Sequence, residues 1–308
     1  MEPSSGRLGA YAALAVMPLL FSSNLIIGRN AIATVDPWTL AFFRWFFAFL
    51  ILLPFAWRGL RRHGALLKEH WRTIALLAFL GMWICGGIVY IALTSTTATN
   101  ATLIYTSSPV FIVLIERIFR GRDVSPLQMI GIAVAIAGVL AIVLKGDIAG
   151  LVHLTFNRGD LLIGFAAISW AIYSVVLKRP AFQPLPTIVL FATIAGAGAI
   201  CLFPFMLIET GLTGHFPTAP ASWASIGGLA LVSSVLAFTT FQYGIKVVGP
   251  STTGVFMYLL PVYGVLLAVV FLGEEFHSYH AAGLVLVTLG VILATAPFGR
   301  LLRRAAPR

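Results

Sequence analysis

The strongest constraint in this sequence is an internal repeat with a spacing of 152 residues. The stretch 98–110 is an apolar segment with its polar residues on one side and a proline in its second half, and it recurs as 250–262. From Pro109 to Val139, nine of 31 positions are identical after the shift. Chance in so biased a composition gives roughly two or three such matches, so the repeat indicates that half of the chain was duplicated.

The composition is that of a membrane protein. Hydrophobic residues make up 59% of the chain and charged residues only 10%, where ordinary globular proteins carry about 25% charged residues. Ten apolar segments are long enough to cross a bilayer, which takes about 20 residues each. We therefore predict an all-α integral membrane protein with ten transmembrane helices. The predicted spans are 8–28, 38–57, 73–94, 98–119, 126–145, 160–177, 186–208, 223–246, 251–272 and 278–298.

The placement of the positive charges predicts the orientation. If the N-terminus is cytoplasmic, sixteen Lys and Arg residues fall on the cytoplasmic side and three on the opposite side. This asymmetry is the positive-inside pattern, and it predicts that both termini are cytoplasmic. A nucleic-acid-binding protein would instead carry its basic residues on one face of a folded domain. We therefore expect the net charge of +10 to interact with the lipid bilayer, and we predict no nucleic-acid partner.

An odd number of spans in each copy predicts that the second copy is inserted upside down. The predicted architecture is thus two inverted five-helix repeats. The loops agree, since Gly121-Arg122-Asp123 in the first copy becomes Gly273-Glu274-Glu275 in the second and the positive charge is lost. The predicted units are residues 1–145 (first repeat), 146–159 (connecting loop), 160–298 (second repeat) and 299–308 (basic cytoplasmic tail).

The two proline-containing spans are the first candidates for a functional site. A proline inside a helix frees the carbonyl four residues earlier, here that of Tyr105 for Pro109 and that of Met257 for Pro261. Within a membrane such a carbonyl must face protein, water or substrate, so Tyr105 and Met257 are predicted to be substrate-binding residues of the cavity. One helical face of each span is expected to line a cavity, with the prolines and glycine acting as gating kinks: Thr102, Thr106, Pro109, Gly254, Tyr258 and Pro261. The alternative is a packing kink in which the Thr hydroxyls bond to their own backbone.

The other predicted cavity walls combine aromatic rings with neutral hydrogen-bonding groups. Such walls suit an uncharged or zwitterionic organic molecule with an apolar side chain, whose ammonium over a ring gains about 2 kcal/mol when desolvated. The alternative for any one aromatic residue is packing against lipid. The predicted wall residues are Ser23, Asn24, Trp83, Tyr90, Trp170, Tyr173, Gln242 and Tyr243.

Arg44 is the ionisable residue that lies well inside a predicted span. Charged residues are expensive in that position and mark functional sites. Two roles stay open, namely contact with a substrate carboxylate and a structural role in which the guanidinium binds backbone carbonyls. Glu116 lies near a span end and is expected to be an interfacial charge. With no acidic residue at a span centre, facilitated diffusion or exchange is favoured over tight proton coupling.

Motifs for catalysis are missing from the sequence. It contains no Gly-rich phosphate loop, nucleophile elbow or His-Glu metal motif. We therefore predict no catalytic residues, no metal, no cofactor and no enzymatic activity. Glu274, Glu275, His277 and His280 are expected to form a solvated turn rather than a metal site.

Taken together, these features resemble the EamA-type branch of the drug/metabolite transporter superfamily. The resemblance rests on the ten spans, the prolines of the fourth and ninth, Gly273-Glu274 after the ninth, Trp170-Ala171 in the sixth and Arg44 within Ala41–Phe46. Within the superfamily the chain looks most like the YddG-like exporters of aromatic amino acids. It departs from the pattern at Phe21-Ser22, where the family usually has Trp-Gly, and at Gly121-Arg122, where the first repeat often has Gly-Glu.

The resemblance implies a secondary transporter in the bacterial inner membrane. It is expected to export small organic solutes, above all aromatic amino acids and methionine, by alternating access around a central cavity. The alternatives are a carrier of the same fold for nucleotide-sugars or cationic drugs, and an intramembrane lipid-modifying enzyme. Nucleotide-sugars call for several cavity cations, cationic drugs for a membrane-embedded carboxylate, and an enzyme for a catalytic set.

Overall fold

The computed structural model describes residues 4–32, 34–96, 104–105, 107–121, 123–144, 147, 157–272 and 275–295. Every regular element in these ranges is helical. Seven of the helices are long and apolar enough to cross a membrane. The chain is therefore an all-helical, multi-pass membrane protein.

The helices of the described residues are numbered here in chain order. Their bounds are α1 (Ser4–Ile32), α2 (Pro37–Arg62), α3 (Gly64–Glu69), α4 (Trp71–Ala92), α5 (Ser108–Arg120), α6 (Pro126–Val143), α7 (Arg158–Leu177), α8 (Thr187–Thr213), α9 (Pro220–Val248), α10 (250–272) and α11 (Ser278–Thr295). The helices α2 and α8 run five residues beyond the spans predicted to end at 57 and 208. Their last turns are richer in polar residues, so hydropathy marks the end of the apolar stretch and not the end of the helix.

Most helix starts follow from local sequence. A proline occupies the first turn of α2, α6, α9 and α10, where its missing N–H costs nothing. The helix α7 starts with a capping box, in which the Asn157 side chain accepts from the Asp160 backbone N–H and Asp160 accepts from that of Asn157. The start of α2 is capped from α8, because Glu209 accepts hydrogen bonds from the backbone N–H groups of Trp38 and Thr39 at 3.1 and 2.8 Å.

Two helices contain long π-helical segments that the sequence analysis did not predict. They are Phe79–Ile88 within α4 and Leu229–Leu236 within α9. A π-helix pairs each N–H with the carbonyl five residues earlier, and such segments frequently mark functional sites. In α10, a 3₁₀ segment, Phe256–Leu259, comes immediately before the turn that contains Pro261. The regular geometry of α4, α9 and α10 is thus broken in mid-helix.

The helices α6 and α11 pack with their backbones almost in contact. Gly131 faces Gly290, and a Cβ on Gly131 would lie 2.7 Å from the Gly290 carbonyl oxygen. Gly138 faces Gly283 in the same way at 2.8 Å. From the first contact to the second, the residue number increases along α6 and decreases along α11, so the two helices are antiparallel. Small residues at such a crossing let membrane helices approach closely.

Three further helix pairs are antiparallel by the same criterion. In α2 and α8, Gly59 contacts Val189 at one end, while Trp38 and Thr39 bind Glu209 at the other. In α1 and α9, the contacts run from Leu14 with Gly244 to Ser23 with Ser233. In α4 and α7, they run from Gly81 with Tyr173 to Ala92 with Gly159. These pairs enclose the buried core, whose largest fully buried side chains include Trp45, Tyr90, Tyr173 and Tyr258.

Candidate functional site

The centre of the candidate site is the guanidinium of Arg44, which is only 4% exposed. Its Nε donates to the Ser234 hydroxyl at 2.6 Å and its Nη2 to the Ser233 carbonyl at 3.2 Å. Its Nη1 donates to Asn24 Oδ1 at 3.2 Å and to the Tyr90 hydroxyl at 2.8 Å. One side chain of α2 therefore ties together α1, α4 and α9.

These contacts explain how the π-helical segment of α9 is stabilised. The Ser234 hydroxyl donates to the carbonyl of Leu229, five residues earlier, at 3.0 Å. Arg44 binds the same hydroxyl and the neighbouring Ser233 carbonyl. A buried carbonyl left without a donor costs about 1–3 kcal/mol. Arg44 thus donates to one buried carbonyl of the π-helical segment and to the hydroxyl that itself donates to a second one.

Three of the predicted wall residues gather around Arg44. The Tyr90 hydroxyl donates to Asn24 Oδ1 at 3.2 Å, in addition to its bond with Arg44. The Ser23 and Ser233 hydroxyls lie 3.1 Å apart. We call Ser23, Asn24, Arg44, Tyr90 and Ser234 the polar cluster. Apart from the guanidinium, every member is neutral.

An aromatic cluster lies next to the polar cluster. The guanidinium carbon of Arg44 lies 4.8 Å from the centroid of the Trp45 ring, a cation–π contact. Trp45 meets Phe238 edge-on at 4.9 Å, and Phe238 meets Trp170 edge-on at 5.4 Å. Phe21 and Phe241 pack on the same Trp170 ring. We call Phe21, Trp45, Trp170, Phe238 and Phe241 the aromatic cluster.

Two more predicted wall residues border the aromatic cluster. Tyr173 stacks on Trp170 with ring centroids 5.4 Å apart. The Gln242 side-chain amide donates to the Tyr173 hydroxyl at 2.9 Å. Trp170, Tyr173 and Gln242 are all nearly fully buried. The structure therefore brings these three predicted residues of α7 and α9 together.

Several buried polar atoms have no hydrogen-bond partner among the residues that the structure describes. Near the aromatic cluster they are Trp45 Nε1, Trp170 Nε1 and Gln242 Oε1. Trp83 Nε1, Thr253 Oγ1 and the Tyr258 hydroxyl share the property. Most buried polar groups in proteins are paired, so each exception calls for an explanation. Unpaired donors and acceptors beside aromatic rings are groups that can bind a polar organic ligand.

The remaining predicted wall residues lie elsewhere. Trp83 stacks on Phe79 and contacts Trp38 and Phe205, away from the polar cluster. Tyr243 is 38% exposed. It lines an open groove of about 550 Å³ at the protein surface, together with Phe55, Gly59, Val189 and Thr239. Tyr105 interacts with the half-buried Cys85, which lies in the π-helical segment of α4.

The predicted kinks are only partly described. Pro109 lies in the first turn of α5, while Thr102 and Thr106 fall outside the described residues. Gly254 packs directly on α5, because a Cβ there would lie 2.8 Å from Ile112 Cδ1 and 3.7 Å from Pro109. Met257 and Tyr258 are buried in the 3₁₀ segment that precedes Pro261.

A buried carboxylate joins α5 to the start of α10. Glu116 is only 4% exposed, and it accepts hydrogen bonds from the backbone N–H and the hydroxyl of Ser251. The interfacial charge expected from the sequence is therefore a buried helix cap. Nearby, burial lowers the pKa of the Lys178 ammonium, and Arg120 adds to this while Glu116 opposes it. Within the described residues, no three His, Cys, Asp or Glu side chains come together as a metal site would require.

Comparison with known proteins identifies the family. The model of the EamA-like transporter family matches twice, over residues 8–144 and 157–296. The chain belongs to the EamA-like transporter family. This confirms the family resemblance found in the sequence, and it makes the chain a member of a family of membrane transporters.

Curated relatives carry transporter names. An uncharacterized transporter of Archaeoglobus fulgidus is 28% identical over 286 residues, which cover 92% of this chain and 96% of the relative. The inner membrane transporter YedA of Escherichia coli K12 is 26% identical over 301 residues, covering 97% and 94%. A protein of Streptantibioticus cattleyicolor named a probable terminal-alkyne amino-acid exporter is 27% identical over 197 residues, covering 64% and 63%.

The fold also matches a solved structure. A crystal structure superimposes with a TM-score of 0.75 over 97% of this chain and 99% of the other chain. The sequence identity is 23%, so this similarity concerns the fold alone.

Proposed function

We propose that this protein is a secondary transporter that exports aromatic amino acids and methionine by alternating access. The observation that carries the proposal is the adjacency of the polar and aromatic clusters, with unpaired polar atoms between buried rings. A zwitterionic head group matches the polar cluster and an aromatic or thioether side chain matches the rings. The amino-acid exporter among the relatives supports the same substrate class.

We further propose that the chain forms ten transmembrane helices in two inverted repeats. The antiparallel contacts support this, because the 152-residue shift turns the pair Gly131–Gly290 into the pair Gly283–Gly138. The matched π-helical segments of α4 and α9 support it as well. An inverted repeat places the substrate between the halves, where helices lose regular geometry. Units 1–145 and 160–298 would then rock around the loop 146–159 and the central site.

The orientation we propose has both termini in the cytoplasm of a bacterium and the protein in its inner membrane. The charge asymmetry of the loops supports it, as does the inner-membrane assignment in the name of YedA. Reporter domains fused after Arg308 and inserted in the loop 146–159 test it. We expect cytoplasmic activity for the first and extracytoplasmic activity for the second. The same side for both would contradict an inverted repeat.

The decisive experiment for the function is efflux from proteoliposomes loaded with labelled phenylalanine, methionine or threonine. We expect the efflux rates of phenylalanine and methionine to be at least ten times higher than from loaded liposomes that lack the protein. A pH gradient of either sign is applied in parallel to reveal proton coupling. If none of these amino acids moves while a nucleotide-sugar or a cationic drug does, the substrate class is wrong.

Variants link transport to the site. Trp170→Ala removes a ring of the aromatic cluster, and Trp71→Ala is the matched control because Trp71 is 59% exposed at the surface. We expect Trp170→Ala to lower phenylalanine flux at least tenfold at equal folded yield, and Trp71→Ala to leave it unchanged. Equal fluxes for both variants would remove Trp170 from the substrate path.

A further inference from the structure

The charge of Arg44 has no compensating anion among the residues that the structure describes. All four of its hydrogen bonds go to neutral acceptors, namely two hydroxyls, one amide and one carbonyl. None of the described carboxylates forms an ion pair with it. An ionised group buried without a counter-charge is strongly destabilising. The positive charge is therefore a feature that the local structure does not account for.

The hydrogen bonds of Arg44 leave one donor unused. A guanidinium carries five N–H groups in a planar fork. Nε uses its single N–H on Ser234, Nη1 uses both on Asn24 and Tyr90, and Nη2 uses one on Ser233. The second N–H of Nη2 has no acceptor among the described residues. A side chain that only held the π-helical segment in place would need these bonds but no charge.

The surroundings define the chemistry of a missing anion. A phosphate calls for several cations, whereas Arg44 is the buried cation of this cluster. The uncompensated positive charge and the unused N–H of Nη2 match a carboxylate, because the Tyr90 and Ser234 hydroxyls already donate to Asn24 and Leu229. Two ring contacts of 4.9 and 5.4 Å lead from Trp45 through Phe238 to Trp170. A molecule with a carboxylate at one end and an aromatic ring at the other therefore matches both clusters.

We propose that Arg44 binds the carboxylate of the transported amino acid. The inference rests on the proposed function and names the group that the site recognises. Asn24, Tyr90 and Ser234 act as positioning residues, because they hold the guanidinium from three different helices. Binding of the carboxylate would neutralise the charge at the point where Arg44 already connects α2 to α4 and α9.

Ligand analogues test the proposal without relying on transport. The purified protein is melted in detergent with L-phenylalanine, with 3-phenylpropionate, which lacks the ammonium group, and with phenethylamine, which lacks the carboxylate. We expect half-maximal stabilisation at concentrations at least tenfold lower for the two carboxylates than for the amine. Equal or tighter binding of phenethylamine, or no stabilisation by either carboxylate, overturns the proposal.

Variants assign the preference to Arg44. Arg44→Gln keeps hydrogen-bonding groups and removes the charge, so we expect the carboxylate preference to fall to about twofold or less. Arg44→Lys keeps the charge and should keep a preference of at least threefold, and it decides the matter if Arg44→Gln does not fold. Arg120→Gln is the matched control, because Arg120 donates to the Val175 carbonyl near the other end of the bundle. A folded Arg44 variant without charge that keeps the full preference overturns the proposal.

The two proposals fail in different ways. If phenylalanine binds with a carboxylate preference that depends on Arg44 but does not cross proteoliposomes, the transport proposal is wrong and the Arg44 site stands. If phenylalanine crosses and the preference is absent, the Arg44 site is wrong and the transporter stands.

Discussion

The π-helical segments of α4 and α9 have the same backbone form and opposite side-chain chemistry. After the 152-residue shift, Phe79–Ile88 overlaps Leu229–Leu236. In α4 the segment carries three glycines, Gly81, Gly86 and Gly87, against which Tyr173, Trp45 and Trp38 pack. In α9 it carries Ser233 and Ser234, which bind Arg44 and Ser23.

This difference shows what the duplication preserved and what it allowed to diverge. The irregular backbone occurs in both halves, so it belongs to the architecture. The contacts with Arg44 occur in α9, whereas the α4 segment packs its glycines against aromatic rings and makes one polar contact, from Cys85 Sγ to the Ala166 carbonyl. A site that recognises polar groups is therefore expected on the α9 side of the molecule. Substitutions in the two segments separate these two modes of stabilisation.

The largest effect is expected from Arg44→Met. Methionine fills a similar volume but removes the Arg44 donor from the Ser233 carbonyl, and it removes one of the two donors to Asn24 Oδ1, leaving that of Tyr90. Hydrogen bonds to charged groups contribute about 1.5–3 kcal/mol each, and removal of the buried charge offsets part of their loss. We expect about 3 kcal/mol lower stability, measured as the apparent melting temperature in detergent. An unchanged melting temperature would mean that the hydrogen bonds from Arg44 do not stabilise the π-helical segment of α9.

A smaller loss of stability is expected from Gly87→Ala in the π-helical segment of α4. Its Cβ would lie 2.2 Å from Trp38 Cζ3, and Trp38 is itself held against Trp83 and Phe205. Overpacking of this kind costs about 1–3 kcal/mol, and we expect a loss of about 2 kcal/mol in the same melting assay. Gly227→Ala is the matched control just before the α9 segment, where nothing lies within 4 Å of the new Cβ. A similar loss in both variants would rule out packing as the cause.

Ser234→Ala removes polar contacts of the π-helical segment of α9 and leaves the charge of Arg44 in place. The substitution deletes the bond to Arg44 Nε and the bond to the Leu229 carbonyl. A buried hydrogen bond contributes about 1 kcal/mol, so we expect a loss of about 1.5 kcal/mol together with weaker phenylalanine binding. Thr240→Ala, whose exposed hydroxyl bonds only to its own helix at Leu236, should change neither. An effect on stability alone would limit Ser234 to a structural role.

The smallest effect is expected from Trp45→Phe. Trp45 contacts both π-helical segments. Its Nε1 approaches Gly86 and has no partner, while its ring lies beneath Arg44. Phenylalanine keeps an aromatic face and removes the unpaired donor, so the loss of ring volume is partly offset. We expect a change of about 1 kcal/mol or less. A loss as large as that of Arg44→Met would show that the two segments depend on each other through this ring.

Much of the fold could be predicted from the sequence because the membrane limits the choices. Apolar runs such as 160–177 and 278–298 mark helices, since backbone in lipid must satisfy its own hydrogen bonds. Prolines such as Pro37 and Pro250 mark helix starts. The π-helical segments were missed, because no propensity or periodicity distinguishes five-residue from four-residue hydrogen bonding in apolar sequence.

The candidate site was predictable in its residue types and not in its contacts. Ser23, Asn24, Tyr90 and Arg44 were each expected in the interior, and the structure brings them together around one guanidinium. The roles of Ser233 and Ser234 could not be read from sequence, because they depend on an irregular backbone. The burial of Glu116 could not be read from the sequence either, because it follows from the proximity of Ser251 on another helix.

The glycine crossing of α6 and α11 limits how this protein can move. At Gly131, Gly138, Gly283 and Gly290 the two backbones approach so closely that sliding or tilting would drive main chain into main chain. The separation between α6 and α11 at their crossing is therefore expected to stay fixed. Because α6 belongs to one proposed unit and α11 to the other, the two units would turn about this crossing, and labels placed at the crossing on α6 and α11 should keep a constant separation throughout the transport cycle.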